Sequence, residues 1–365
     1  MKTNQNRDFF KYILFAFAAT GMFCLAGCAT TPKNTGPKYI FFPPAPDEPR
    51  IQYLTSYASE RDLRGNNGGT FMNFVTGEQL PDNPIFKPYG AATGDHGIYV
   101  CDTSISAVLR LDLASKKMSM IAPTGAGRLV LPLNMAWGGD GLLYIADSVR
   151  NQVVILNTNG EFVATLGENG KNQPRDVALA ADRIYVGDSE THCVHVYDRQ
   201  NRQLLFDIPN AEDAKDFKQR LFQPDNIAVD TNGQLYVSDI GAYRVQVYDR
   251  NGKFIHTVGG YGDNVGEFAR PKGIAVDRQG WIYVADAAEQ VVQMFNEKGQ
   301  LLMWFGEPGG SPVSLMLPSK VVIDYDDVGY FQKYISPDFK VDYLVIVINQ
   351  LGPRKVSVFG YGHKK

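Results

Sequence analysis

The sequence predicts an all-β protein: a six-bladed β-propeller of four-stranded units, closed by a strand from the N-terminal side. Three observations carry this. A proline opens each of six units, at Pro88, Pro132, Pro174, Pro224, Pro271 and Pro318, in steps of 44, 42, 50, 47 and 47 residues. A period in the forties with strand-like content is the spacing of propeller blades. Each regular unit holds short apolar runs separated by turn residues, and five units end the second run in Tyr-x-x-Asp, at Asp102, Asp147, Asp188, Asp239 and Asp286.

The fifth unit shows the plan of a blade. Pro271 to Asp277 is a first strand, and Arg278-Gln279-Gly280 is its turn. Trp281 to Asp286 is a second strand, Val291 to Phe295 a third, and Gln300 to Phe305 a fourth after Asn296-Glu297-Lys298-Gly299. Gly-containing turns between such runs make antiparallel hairpins. The first two runs are almost continuously apolar, as burial on both faces requires. The sixth unit has runs at 321–324, 343–349 and 355–359 and then ends. The orphan run Ile51 to Ala58 is therefore expected to supply its fourth strand, which ties the ring shut and removes a free edge. Two stretches break the period. Residues 211–218 are long enough for two helical turns. The insertion from Tyr325 to Asp342 carries Tyr325, Tyr330, Phe331, Tyr334 and Phe339; long loops on a regular scaffold often carry binding, but these aromatics are read as covering a strand edge or plugging a blade junction. Phe71-Met72-Asn73-Phe74 is read as a short amphipathic helix against the disc.

Tyr236 to Asp249, with Tyr-Val-Ser-Asp followed by Arg-Val-Gln-Val-Tyr-Asp, resembles the NHL repeat. No Trp-Asp dipeptide occurs, which disfavours a WD40 propeller. The resemblance covers roughly residues 50–362, and Arg50 to Glu78 is similar to the lead-in of bacterial NHL lipoproteins. It implies an interaction module: a protein- or glycan-binding scaffold in an envelope assembly.

The N-terminus is read as a targeting segment. Lys2, Arg7 and Lys11 precede an apolar run from Tyr12 to Phe23, too short to span a bilayer comfortably. Leu25-Ala26-Gly27-Cys28 follows and resembles the lipobox of bacterial lipoproteins. The expected organisation is a signal peptide at 1–27, lipidated Cys28 with a Pro-rich stalk at 28–49, and the propeller at 50–365. Buried acyl methylenes contribute about 0.8 kcal/mol each, so two or more chains anchor stably. Ala29, where an Asp would favour the inner membrane, points to the outer membrane.

Removing residues 1–27 takes away three basic and one acidic side chain, moving the net charge from −3 to −5. That balance argues against a nucleic-acid partner, which needs a basic surface. The strand-two Asp recurs in blade after blade, so a local role accepting backbone N–H bonds is expected, not a metal ring. His192 and His195, at i and i+3, lie on opposite faces of a strand, and Cys101 and Cys193 read as small buried apolar residues. The peptide-amidating lyase, an NHL-type enzyme, uses several His around a central metal; this sequence lacks His at inner-strand positions of different blades.

Six-bladed enzymes also include calcium-dependent lactonases. Asn134, Asp176, Asp225 and Asn226 follow three of the repeat prolines, near the expected channel mouth, and are the residues that chemistry would use. Otherwise no cofactor is expected. A candidate binding face collects residues that vary from blade to blade: Asn134, Arg150, Arg175, Asp176, Glu190, Asp225, Asn226, Tyr243, Lys272, Glu289 and Lys320. Variation on a repeated frame is how repeat proteins build recognition surfaces. Its expected partner is another envelope protein or a cell-wall or surface glycan.

Overall fold

The structure is a computed structural model describing residues 39–65, 82–167 and 170–365. The segment expected to be a signal peptide, Cys28 and the segment around Phe71 lie outside the described residues. Six antiparallel sheets form the ring of a six-bladed β-propeller. Blade one is β3 (Pro88–Gly94), β4 (Gly97–Asp102), β5 (Ala107–Asp112) and β6 (Lys117–Ile121). Blade two runs from β7 (Pro132–Trp137) to β10 (Phe162–Leu166). Blade three is β11 (Pro174–Leu179), β12 (Arg183–Asp188), β13 (Cys193–Asp198) and β14 (Leu204–Ile208). Blade four runs from β15 (Pro224–Val229) to β18 (Phe254–Val258), and blade five from β19 (Pro271–Val276) to β22 (Leu301–Phe305). Each first strand neighbours those of the adjacent blades around the channel.

The sixth blade confirms the closure. Strand β2 (Ile51–Tyr57) pairs antiparallel with β25 (Val356–Lys364), which pairs with β24 (Phe339–Asn349) and then β23 (Pro318–Asp324). A fifth strand, β1 (Ile40–Phe42), adds to the outer edge, so residues assigned by sequence to the stalk belong to the sheet. Its side chains reach the disc: Phe41 meets Phe339 edge-on at 5.2 Å between ring centroids. Beyond β2, Ser59 caps a short helix, α1 (Glu60–Arg64), whose Asp62 carboxylate accepts the Ser59 N–H.

Two expectations are corrected. Residues 211–218 do not make two helical turns; a single 3₁₀ turn forms at Asp213–Lys215, where Asn210 caps the N–H groups of Glu212 and Asp213. In the sixth blade the second strand begins at Phe339 rather than 343, because the end of the aromatic insertion extends the hairpin with β25. The rest of that insertion forms a 3₁₀ segment, Val328–Tyr334, and buries Phe331 fully. Phe331 and Phe339 join Val100, Leu109 and Leu111 of blade one, so the aromatics plug the junction of the last blade with the first.

The apolar side chains form six clusters, one at each blade junction. The repeated strand-two tyrosines, Tyr99, Tyr144, Tyr185, Tyr236 and Tyr283, are all at most 2% exposed and sit in these seams. Burying such a side chain stabilises by roughly 1.5–3 kcal/mol. The strand-two Asp has the structural role expected. Asp286 accepts the N–H groups of Ala269 and Arg270, which lead into the inner strand, and of Ala288 and Glu289 in the next turn. Asp102, Asp147, Asp188 and Asp239 tie in the same lead-in segment in their blades. Asn349 does so in the sixth, accepting Met316 N–H at 3.1 Å. The turn that follows holds one non-glycine residue at positive φ in each of five blades: Ser106, Asn151, His192, Tyr243 and Gln290. His192 is thus a turn residue.

Candidate functional site

Every inner strand begins with a register shift just after its repeat proline. Such a bulge re-aims the next side chains, and here it brings residues of different blades together in the channel. Glycine allows the close approach: a Cβ on Gly90 would lie 2.1 Å from Asn134 Oδ1, and one on Gly273 2.6 Å from Lys320 Cα.

The channel is filled by ion pairs. The Asp225 carboxylate, fully buried, accepts from Arg175 Nη2 at 2.5 Å and from the Tyr89 hydroxyl at 3.1 Å. Arg175 Nη2 also donates to Tyr89 Oη at 2.8 Å. Lys272 Nζ stands 4.3 Å from the Tyr89 ring centroid, a cation–π contact. On the other side Lys320 Nζ donates to Asp176 Oδ2 at 2.5 Å, and Ile227 N–H reaches the same oxygen at 3.0 Å.

The two carboxylates differ in their balance of burial and charge. Burial raises the pKa of Asp176 and outweighs its one cation, Lys320, and two backbone N–H groups, so it ends above the usual carboxylate value. Burial pulls Asp225 the same way, but Arg175 and Lys272 together hold it below that value. Lys272 itself is pushed down to about 8 by burial, partly offset by Asp225.

Six residues read as part of a binding face therefore have another place. Asn134, Asp176, Asp225, Asn226, Lys272 and Lys320 are buried in the channel, because the bulges turn them inward and hydrogen bonds and ion pairs hold them there. Arg150 and Arg175 are half-buried, and Arg150 spends its guanidinium on the Ala126 and Arg128 carbonyls. Glu190, Tyr243 and Glu289 remain exposed.

Beside Tyr243, that face is marked by apolar side chains without a place in the repeat pattern. The connections into the inner strands and the strand-two turns emerge at one end of the disc. Eight exposed large apolar side chains lie in connections at that end, among them Phe86, Val149, Phe217, Tyr243, Tyr261 and Val265, against Tyr330 alone in connections at the other end, among the described residues. Tyr261 is 76% and Phe217 72% exposed. Tyr243 meets Tyr261 edge-on at 4.9 Å, and Phe217 meets Phe222 at 5.1 Å. Apolarity inside loops of variable length carries no period, so pattern reading had no handle on it.

A second cluster lies on the outer hairpin of blade three. His195 Nδ1 is 2.7 Å from Asp207 Oδ1 and 3.7 Å from Cys193 Sγ. His195 Nε2 faces the Asn172 side-chain amide at 2.9 Å, the Thr191 hydroxyl at 3.2 Å and Asp188 Oδ2 at 3.6 Å. Burial would lower the His195 pKa, but its bonds to Asp188, Asp207 and Cys193 outweigh this and push it up to about 12. Both cysteines are buried as expected, but Cys193 lies against His195 and the Thr191 hydroxyl, whereas Cys101 packs in the seam of blades one and two. Both cysteines are unpaired. The legible signal was Cys-x-His on one strand, since residues two apart share a face.

Comparison with known proteins bears on the fold. A family described as SMP-30/gluconolactonase/LRE-like region matches residues 168–260, and one described as 6-bladed beta-propeller matches residues 218–303. Both matches and the solved structures agree on the fold, a six-bladed propeller. The chain superposes on a gluconolactonase from Xanthomonas campestris with a TM-score of 0.56 at 14% identity, covering 90% of this chain and 99% of that one. Regucalcin from Agrobacterium tumefaciens, named as a calcium-binding protein, gives 0.53 at 14%, covering 77% and 92%. Protein brain tumor of Drosophila melanogaster is 26% identical over 142 residues, 36% of this chain and only 13% of that protein.

The channel residues do not fit a calcium ion of the kind such propellers suggest. Calcium takes six to eight oxygen ligands. Of the four side chains available to it, both carboxylates are engaged by cations, and only Asn134 Oδ1 and Asn226 Oδ1 lack a partner. A divalent cation placed there would face Arg175, Lys272 and Lys320.

Proposed function

We propose that this chain is a protein-binding propeller, held at the bacterial envelope by lipid on Cys28, and that its partner docks on the end of the disc carrying Phe217, Tyr243 and Tyr261. The observation that carries this reading is the concentration of exposed large apolar side chains at that end. Soluble surfaces rarely gather such groups without use, and aromatic anchors dominate protein interfaces. The charges deeper in the channel support the reading by pairing with one another. A glycan partner suits the paired tyrosines less well, since Phe217, Val149 and Val265 offer a sugar no hydrogen bonds. The lipobox-like Leu25-Ala26-Gly27-Cys28 supports the anchor, and Ala29 an outer-membrane address.

The second reading is lactone hydrolysis in the channel with a divalent metal. It is favoured by the match of residues 168–260 to the gluconolactonase-type family. It requires Asp176 and Asp225 to exchange their ion pairs for a metal.

Site-specific photocross-linking of the full chain in the bacterium that makes it separates the two. A photoreactive residue replacing Tyr261, and separately Phe217, is expected to trap the same single protein, while one replacing Tyr330 at the opposite end traps none. In the same cells Cys28→Ser should move the chain from the membrane to the soluble fraction. No adduct from either position, together with a metal-dependent lactonase activity lost in Asp225→Asn, would establish the second reading instead.

A further inference from the structure

We propose that Cys193, His195 and Asp207 form a zinc site on the outer hairpin of the third blade, with one coordination position open to solvent. The placement follows from strand geometry. Cys193 and His195 are two apart on β13 and project from one face. Asp207 on β14 is the direct cross-strand partner of His195. One ligand atom from each therefore gathers on a short stretch of hairpin, and the three lie within 4.8 Å of one another. Zinc bound at about 2.0–2.3 Å to nitrogen, oxygen and sulfur keeps tetrahedral ligand atoms roughly 3.2–3.8 Å apart. The separations of 2.7 Å and 3.7 Å around His195 Nδ1 are within small side-chain adjustments of that range.

The donor set selects the metal. Thiolate and imidazole are borderline-soft ligands that suit zinc, and a single carboxylate is too little for calcium or magnesium. The surroundings are those of a ligand set held in place. With Nδ1 turned to the metal, His195 Nε2 is left among the Asn172 amide at 2.9 Å, the Thr191 hydroxyl at 3.2 Å and Asp188 Oδ2 at 3.6 Å, and Asp188 is itself fixed by the backbone N–H groups of Gln173, Glu190 and Thr191. A carboxylate behind a ligating histidine orients the ring and raises its basicity. Access is open from one side: Cys193 and His195 are buried, while the Asp207 side chain is 44% exposed. Three protein ligands with a solvent-facing fourth position is the pattern of a reactive or ligand-accepting zinc, not of a closed structural one.

The test uses the purified full chain, reduced and stripped of metal, titrated with Co²⁺ alone and then with Zn²⁺ as competitor. The expected result is a thiolate-to-cobalt absorption band that saturates at one equivalent and is displaced by Zn²⁺. Cys193→Ser abolishes the band, Cys101→Ser leaves it, and Asp207→Asn weakens binding by at least about tenfold. Asp207 is half-exposed, so its variant keeps the test decisive if Cys193→Ser fails to fold. No band at excess Co²⁺, or a band that survives Cys193→Ser, overturns the proposal. This inference is independent of the docking reading.

Discussion

The channel and the outer hairpin of blade three both set carboxylates against partners that carry positive charge, but the partners differ in kind. In the channel, Asp225 faces Arg175 and Lys272, and Asp176 faces Lys320. These are cations on tethers: they engage the carboxylate oxygens that a metal would need. On the hairpin, Asp207 and Asp188 face His195 beside the thiol of Cys193. Once a metal displaces their protons, imidazole nitrogen and thiolate sulfur offer electron pairs that it can take. Acidic residues near a propeller axis are therefore poor evidence for a metal until the cations around them are known. A less central cluster can be the better ligand set.

The largest effect expected on this contrast comes from removing a channel carboxylate. Asp225→Asn leaves half-buried Arg175 and buried Lys272 without their counter-charge, and breaking a buried pair costs about 3–5 kcal/mol. Asp176→Asn should cost less, because burial already opposes the charged form of Asp176 and only Lys320 is stranded. Urea unfolding of both variants at pH 7 measures the difference, and equal losses would contradict the unequal charge balance.

Lys272 gives the next effect, through pH. Its folded pKa of about 8 lies below the ordinary 10.5, so the unfolded chain keeps this proton to higher pH. The charged lysine is penalised in the folded state below pH 8, and stability contributed by this group rises as pH climbs from 8 to 10.5. Lys272→Met should flatten that rise, which is on the order of 3 kcal/mol at most. A stability–pH profile unchanged by the substitution would show that Lys272 titrates normally.

The smallest effect belongs to the hairpin without metal. Asp207→Asn alters a half-exposed ion pair, worth about 0–1 kcal/mol. Its melting temperature in chelator should stay near that of the parent, while any rise on adding Zn²⁺ is lost. A large loss in chelator would make Asp207 a structural partner of His195 and bring the two regions closer together.

Much of the frame was legible because it is local and repeated. Each blade restates its strands and turns, and the carboxylate of each strand-two Asp binds N–H groups within about one blade of sequence. The orphan run at 51–58 could be placed because the sixth unit visibly lacked a strand. The stalk residues Ile40–Phe42 were misplaced because three residues beside prolines carry no strand period. The 211–218 turn was overextended because helix-compatible composition does not form a helix where Asn210 and Asp216 cap a shorter turn.

The chain's own pattern was enough for the blade count, the closing strand and the conversion of the conserved-looking acids into turn braces. Ring closure alone decided what those side chains meet across the axis. Tyr89 and Asp225 are 136 residues apart, and Asp176 and Lys320 144, yet each pair hydrogen-bonds in the channel. No local periodicity encodes which inner strands face one another across a ring, or which acid meets which cation. That pairing is set by the bulges and close glycine contacts of all six blades acting together, and it turns the residues that looked like a calcium site into a closed set of ion pairs.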